Sequence, residues 1–393
     1  MDNKNYKFET SAIRTQAERT QYNEHSTPLF LTSSFVFDDS EQMRAVFADE
    51  EFKHSYSRYK NPNIDEFAEK MAILEGAEAG YAYASGMGAI FSTMMALLNG
   101  GDHIISCSSI YGATHVLFNN TLPRWNITTS FFDINHPETI EKLVLPTTKI
   151  LYAESPTNPA CDVIDLALLA EIAHKHNLIF IVDNCFATPY LQQPILLGAD
   201  IVLHSATKLI DGQGRVLGGV VVGNQQLMNK IYLFSRGVGA TLSPFNAWVL
   251  SKSLETLAIR VERQSENALK MAEYLEQNPN IERVMYPFLK SFPKYDLAKK
   301  QMKMGGNMIA FEIKGGLEKG KKFLNALKMC SMTSNLGDSR TIIVHPASTT
   351  HSKLSKEELS AGFITEGMVR VSVGLEHYQD IIDDIEQALQ ISL

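Results

Sequence analysis

Lys208 closes the stretch His204-Ser205-Ala206-Thr207-Lys208, directly after the apolar run Ile201-Val202-Leu203. A solvent-exposed lysine needs no such setting. A lysine that condenses with a carbonyl does, because it must lose its proton in a dry site, and neighbouring hydroxyls can hold an anionic group beside it. Asp183 ends a second apolar run, Leu178-Ile179-Phe180-Ile181-Val182. A carboxylate at the C-terminal end of a parallel strand lies where open α/β sheets bind ligands, and the competing reading is a helix N-cap or turn aspartate. Ser85-Gly86-Met87-Gly88 follows a third strand-like run and opens a helix. Small residues there let backbone N–H groups and the helix dipole face a phosphate; a tight turn that needs glycine for packing is the alternative. Tyr111, in Ile110-Tyr111-Gly112, offers a ring for stacking, or is an ordinary half-buried tyrosine. Together they carry a narrower meaning. A lysine, a carboxylate, hydroxyls and an anion-binding turn at successive strand ends are the equipment that pyridoxal 5′-phosphate requires.

Other nucleotide motifs match poorly. Gly86-Met87-Gly88 has Phe91 at the third glycine position of a dinucleotide fingerprint, and no acidic residue closes a strand about 20 residues later. Gly315 to Gly320-Lys321 imitates a P-loop, but Lys322 replaces the hydroxyl residue that would hold magnesium. The four cysteines, Cys107, Cys161, Cys185 and Cys330, form no CxxC pair, which argues against a structural zinc site and for reduced thiols. Lys+Arg 36 against Asp+Glu 44 gives a net charge of −8, so no broad nucleic-acid face is expected. The polar start Met1-Asp2-Asn3-Lys4 lacks the apolar core of a signal peptide, and no run of about 18 apolar residues occurs. The expectation is a cytoplasmic protein with no metal and no membrane span.

The elements that must position these residues follow from length and periodicity. The 393 residues suffice for two or three domains of about 150 residues. Residues 1–60 read as an arm, 61–248 as a large α/β domain and 249–393 as a smaller α+β domain. A helix is expected from Asn63, with Glu66 three residues on as in a capping box and Ile64, Phe67, Ala68, Met71 and Leu74 on its apolar face. Strands are expected at Tyr81–Ala84, His103–Ser106, Lys149–Ala153, Leu178–Asp183, Ile201–His204 and Gly219–Val222, alternating with helices. Near-continuous apolar strands of this kind form a mostly parallel sheet covered on both faces. One long helical region is expected from Pro244 to about Gln277. Strands at Met308–Glu312, Ile342–Val344 and Met368–Val371 complete the smaller domain.

Six ordered stretches carry a resemblance. They are Tyr56-Ser57-Arg58-Tyr59-Lys60-Asn61-Pro62, Ser85-Gly86-Met87-Gly88-Ala89, Glu154-Ser155-Pro156-Thr157-Asn158-Pro159, Val182-Asp183-Asn184, His204-Ser205-Ala206-Thr207-Lys208 and Arg370-Val371-Ser372-Val373-Gly374-Leu375-Glu376. Over nearly its full length the chain resembles the Cys/Met-metabolism family of fold-type I pyridoxal-phosphate enzymes. The resemblance implies a mostly parallel central sheet with an N-terminal arm. It implies Lys208 as the Schiff-base lysine, Asp183 against the ring nitrogen and Tyr111 stacked on the ring. Ser85, Gly86, Met87, Ser205 and Thr207 would hold the phosphate, with Asn158 near the cofactor oxygen. Tyr56 and Arg58 would reach the phosphate of a neighbouring subunit, which implies a homotetramer built from dimers with shared sites. Arg370 would clamp the substrate α-carboxylate, and Asn158 and Asn335 would line the same pocket.

Two features narrow the branch. Methionine gamma-lyases of the family carry a reactive cysteine two residues after the stacking tyrosine, where this chain has Ala113. Lys208-Leu209-Ile210-Asp211-Gly212-Gln213-Gly214-Arg215 and Asn335-Leu336-Gly337-Asp338 are similar to the O-succinylhomoserine sulfhydrylases. That similarity implies γ-replacement on an O-acylhomoserine with sulfide, cystathionine gamma-synthase and gamma-lyase activities being the alternatives. Arg215 is the candidate cation for the second carboxylate of a succinyl group, weighed against a structural salt bridge.

Overall fold

The structure is a computed structural model that describes residues 6–350, 352 and 364–392. Seven strands form the larger sheet: β1 Ala79–Tyr83, β2 His103–Cys107, β3 Thr128–Phe132, β4 Thr148–Glu154, β5 Ile179–Asp183, β6 Ile201–Ser205 and β7 Gly219–Gly223. Their order is β1-β7-β6-β5-β4-β2-β3. From β3 to β6 every neighbour is parallel, and β7 runs antiparallel to both β6 and β1. A parallel return needs a crossover, usually a helix. No helix lies between β6 and β7, so β7 comes back antiparallel.

Helix Pro62–Glu75 begins differently from the expected capping box. Asn61 is the N-cap and accepts from the Asn63 N–H, with proline in the first turn. Glu66 is buried instead, accepting from the Ala17 N–H and the Ser251 hydroxyl and pairing with buried Lys70 at 3.1 Å. An acid held by so many partners has no oxygen left for its own helix start. Phe67 and Met71 are fully buried on the same helix, each contributing about 1.5–3 kcal/mol.

The expected single long helix is two, Pro244–Leu254 and Leu257–Gln277. The break frees the Ser253 carbonyl, which accepts from buried Arg260 at 3.0 Å. The same guanidinium donates to the Leu209 and Ile210 carbonyls at 2.7 and 3.1 Å, fixing the chain just beyond Lys208.

A second sheet holds β8 Ile281–Met285, β9 Met308–Ile313, β10 Ile342–Val344 and β11 Met368–Ser372, all antiparallel in the order β10-β11-β9-β8. Gly320, part of the P-loop look-alike, lies inside helix Gly316–Ala326, where an added Cβ would meet the His345 ring. Among the described residues no helix is long and apolar enough to cross a membrane.

Candidate active site

The C-terminal ends of the parallel neighbours β4, β5 and β6 place Glu154 beside Asp183, with Ser205 two residues beyond Leu203, the partner of Asp183. Asp183 is 8% exposed. Its carboxylate accepts from the Cys185 N–H at 3.1 Å and from the Tyr152 hydroxyl at 3.4 Å. Burial pushes its carboxyl above the usual range, and the Cys185 N–H works against that shift. A cationic N–H placed before it would restore the charged form.

Helix Gly86–Leu97 starts beside β6. An added Cβ at Gly86 would sit 2.7 Å from the Ser205 Cβ, so only glycine allows the helix start to come this close. Ser85 caps the helix by accepting from the Gly88 N–H at 3.1 Å. The Gly86 and Met87 N–H groups are left for an anion at the positive end of the helix dipole. Thr207 exchanges hydrogen bonds with Gly218, at 3.1 and 3.3 Å.

Lys208 leaves the end of β6 and crosses to the second sheet. Its Nζ donates to Asn335 Oδ1 at 2.6 Å. Gly337 makes this approach possible. Its φ is +75°, and an added Cβ would lie 2.5 Å from the Leu209 nitrogen. Burial, assisted by Arg370 and opposed by Cys185, holds the Lys208 ammonium below its ordinary pKa. A lysine so placed gives up its proton more readily than an exposed one.

Arg370 on β11 completes the group. It donates to Asn158 Oδ1 at 3.0 Å and to the Asn335 carbonyl at 3.4 Å. It is 7% exposed, and among the described residues no carboxylate pairs with it. A buried guanidinium without an acidic partner suits a bidentate carboxylate ligand.

The structure thus brings together Lys208, Asn335, Arg370 and Asn158 through one chain of hydrogen bonds. It also brings in Tyr111, whose N–H donates to Glu154 at 2.7 Å while its ring stays 47% exposed. Met87 lies near this group: its sulfur accepts from the hydroxyl of Thr114, in the helix that follows Tyr111, at 3.8 Å. Tyr56 and Arg58 are not joined to this chain. Arg58 donates to the Arg236 carbonyl and lies over the Tyr59 and Tyr56 rings at 4.7 and 5.4 Å.

Arg215 takes the salt-bridge role weighed against substrate binding. Its Nε donates to fully buried Asp211 at 3.1 Å and its Nη2 to Ser253 at 2.5 Å. The Asp211 carboxylate sits four residues back on the same turn, and capturing it costs less than reaching for the pocket. The sequence alone assigns no role to Glu154 or Tyr152, which the fold brings beside Asp183. An acid ending the strand next to that of Asp183 was a signal available in the sequence.

These groups fit pyridoxal 5′-phosphate: the Gly86 and Met87 N–H groups and Ser205 for a phosphate, the Asp183 carboxylate as acceptor for a protonated ring nitrogen, and Lys208 for an aldehyde. A set of this kind at the ends of a mostly parallel sheet defines a pyridoxal-phosphate-dependent enzyme of the α/β class. The chain belongs to the Cys/Met metabolism PLP-dependent enzyme family, whose profile matches residues 9–390. It is 45% identical over 382 residues to the O-succinylhomoserine sulfhydrylase of Pseudomonas aeruginosa, covering 97% of this chain and 95% of that protein. It is also 45% identical over 388 residues to the L-methionine gamma-lyase of Treponema denticola, covering 97% and 96%. Among solved structures, one from Campylobacter jejuni superposes with a TM-score of 0.94 at 34% identity, covering 98% of this chain and 100% of that one, and carries a pyridoxyl-lysine-5′-monophosphate. Pyridoxal phosphate is therefore the cofactor, and sulfur amino-acid metabolism is the chemical setting.

Proposed function

We propose that this enzyme catalyses γ-replacement on O-succinylhomoserine, or another O-acylhomoserine, with sulfide, releasing homocysteine for methionine biosynthesis. Lys208 would anchor the cofactor, which supplies an electron sink when bound. Asp183 would keep the ring nitrogen protonated, Tyr111 would cover the ring, and Gly86, Met87, Ser85, Ser205 and Thr207 would surround the phosphate. Arg370, with Asn158 and Asn335 beside it, would take the substrate α-carboxylate. The freed Lys208 amine, already biased toward its neutral form, would remove the α-proton and then a β-proton as general base.

The observation favouring replacement over elimination is Ala113. It lies in the first turn of helix Gly112–Val116, two residues after Tyr111, where the gamma-lyases carry a reactive thiol. The equal identity to a gamma-lyase favours γ-elimination as the second reading. Initial rates on O-succinylhomoserine with sulfide and on methionine alone separate the two.

The division into an arm of residues 1–60, a large domain of 61–248 and a small domain of 249–393 belongs to the same reading, with the second boundary falling inside helix Pro244–Leu254. So does a homotetramer of dimers in which Tyr56 and Arg58 serve the neighbouring subunit. Leu31 and Val36 on the arm are 70% and 87% exposed in the single chain, which supports a partner there.

A further inference from the structure

Glu154 bonds to two residues that face the reaction from different loops. It is the last residue of β4, in register with Asp183 on β5. Its side chain is 4% exposed. Oε2 accepts the Tyr111 N–H at 2.7 Å and Oε1 accepts the Asn158 N–H at 3.1 Å. Tyr111 follows β2, whereas Asn158 follows β4, and Asn158 passes the constraint on to Arg370 through its side-chain oxygen.

A buried acid beside another buried acid is costly. Burial and the Asp183 charge both drive the Glu154 carboxyl well above the usual range. A well-packed apolar residue of similar volume would serve a purely structural purpose at no greater cost. An apolar residue could not accept two N–H groups from separate loops.

We infer that Glu154 is a positioning residue that sets the Tyr111 ring and the Asn158–Arg370 pair together, so that the ring face over the cofactor and the carboxylate clamp move as one. This rests on the roles given to Tyr111, Asn158 and Arg370 above.

The test compares holoenzyme of the wild type, Glu154→Gln, Glu154→Ala and Arg370→Ala. Two constants are read in each. One is cofactor dissociation, from titration of the cofactor-free protein with pyridoxal phosphate. The other is glycine affinity, from the change in the visible band of the bound cofactor; glycine has the α-carboxylate and no leaving group. Leaving a buried N–H without its acceptor costs about 1–3 kcal/mol, or roughly 5- to 150-fold. Glu154→Ala is expected to weaken both constants by at least about fivefold. Glu154→Gln keeps the shape but turns an amide N–H₂ toward one N–H, and is expected to weaken at least one constant by a similar factor. Wild-type constants in folded Glu154→Gln, whatever its melting temperature, overturn the inference. If Glu154→Ala does not fold, the glutamine variant decides alone. Arg370→Ala should weaken glycine and leave cofactor binding intact. Its failure to do so would strike the clamp reading, while cofactor binding by Glu154→Gln would still decide the role of Glu154.

Discussion

Lys208 and Asn335, 127 positions apart, meet at 2.6 Å between the end of β6 and the loop before β10. The amine is therefore held by the loop that leads into β10 and not by its own strand. The contact depends on Gly337, since any side chain there would collide with the Leu209 backbone.

Borohydride treatment of the holoenzyme is expected to fix the cofactor to the peptide containing Lys208. Lys208→Ala should lose that linkage and essentially all turnover. Asn335→Ala should retain the linkage and lose about three- to tenfold in kcat, the worth of about one hydrogen bond. Labelling at another lysine, seen by peptide mass mapping, would refute the assignment.

The lowered pKa of Lys208 has a consequence for stability that can be signed. Between the folded value and the ordinary 10.5, the unfolded chain holds a proton that the folded chain does not. Stability then rises with pH across that window, and the full penalty is present below it. In the cofactor-free protein, Lys208→Met should gain stability over the wild type near neutrality, and the gain should shrink as pH approaches 10.5. Chemical denaturation at several pH values measures it. A gain that does not vary with pH would show that burial does not depress this lysine.

Arg215→Ala is expected to act on the fold. The variant strips a partner from a fully buried carboxylate, but the arginine side chain is 40% exposed, which discounts the loss to about 1–2 kcal/mol. Its kcat/KM should fall by the same factor on O-succinylhomoserine and O-acetylhomoserine. A loss confined to the succinyl substrate would return Arg215 to the pocket.

Subunits carrying Tyr56→Phe with Arg58→Ala, and subunits carrying Lys208→Ala, should each be inactive alone. Mixed and reassembled, they should regain part of the activity, because a hybrid dimer can contain one intact site. Absence of recovery in hybrids verified by mass would exclude an arm that crosses between subunits.

Much of this architecture was legible because buried parallel strands leave an unambiguous apolar record. β2, β4, β5 and β6 were placed within a residue or two, and with them Asp183, Ser205 and Lys208. Two edge strands escaped. β3 is polar over Thr128-Thr129-Ser130, and β8 interrupts its apolar pattern with Glu282-Arg283. Edges face solvent and need not be apolar. Glu66 was misread because a capping box and a buried ion pair can share a spacing, and only the tertiary partner distinguishes them. The same holds for Arg215: the sequence shows a cation near the lysine, and only the fold shows that Asp211 has already engaged it. The meeting of Lys208 with Asn335 depends on how two sheets pack, which no local pattern records.

The most direct measurement is the product partition of the purified holoenzyme given O-succinylhomoserine and excess sulfide. Homocysteine should dominate over 2-oxobutyrate, and methionine alone should turn over much more slowly than O-succinylhomoserine. Predominant 2-oxobutyrate with sulfide present, together with rapid release of methanethiol from methionine, would contradict γ-replacement and make the enzyme a lyase.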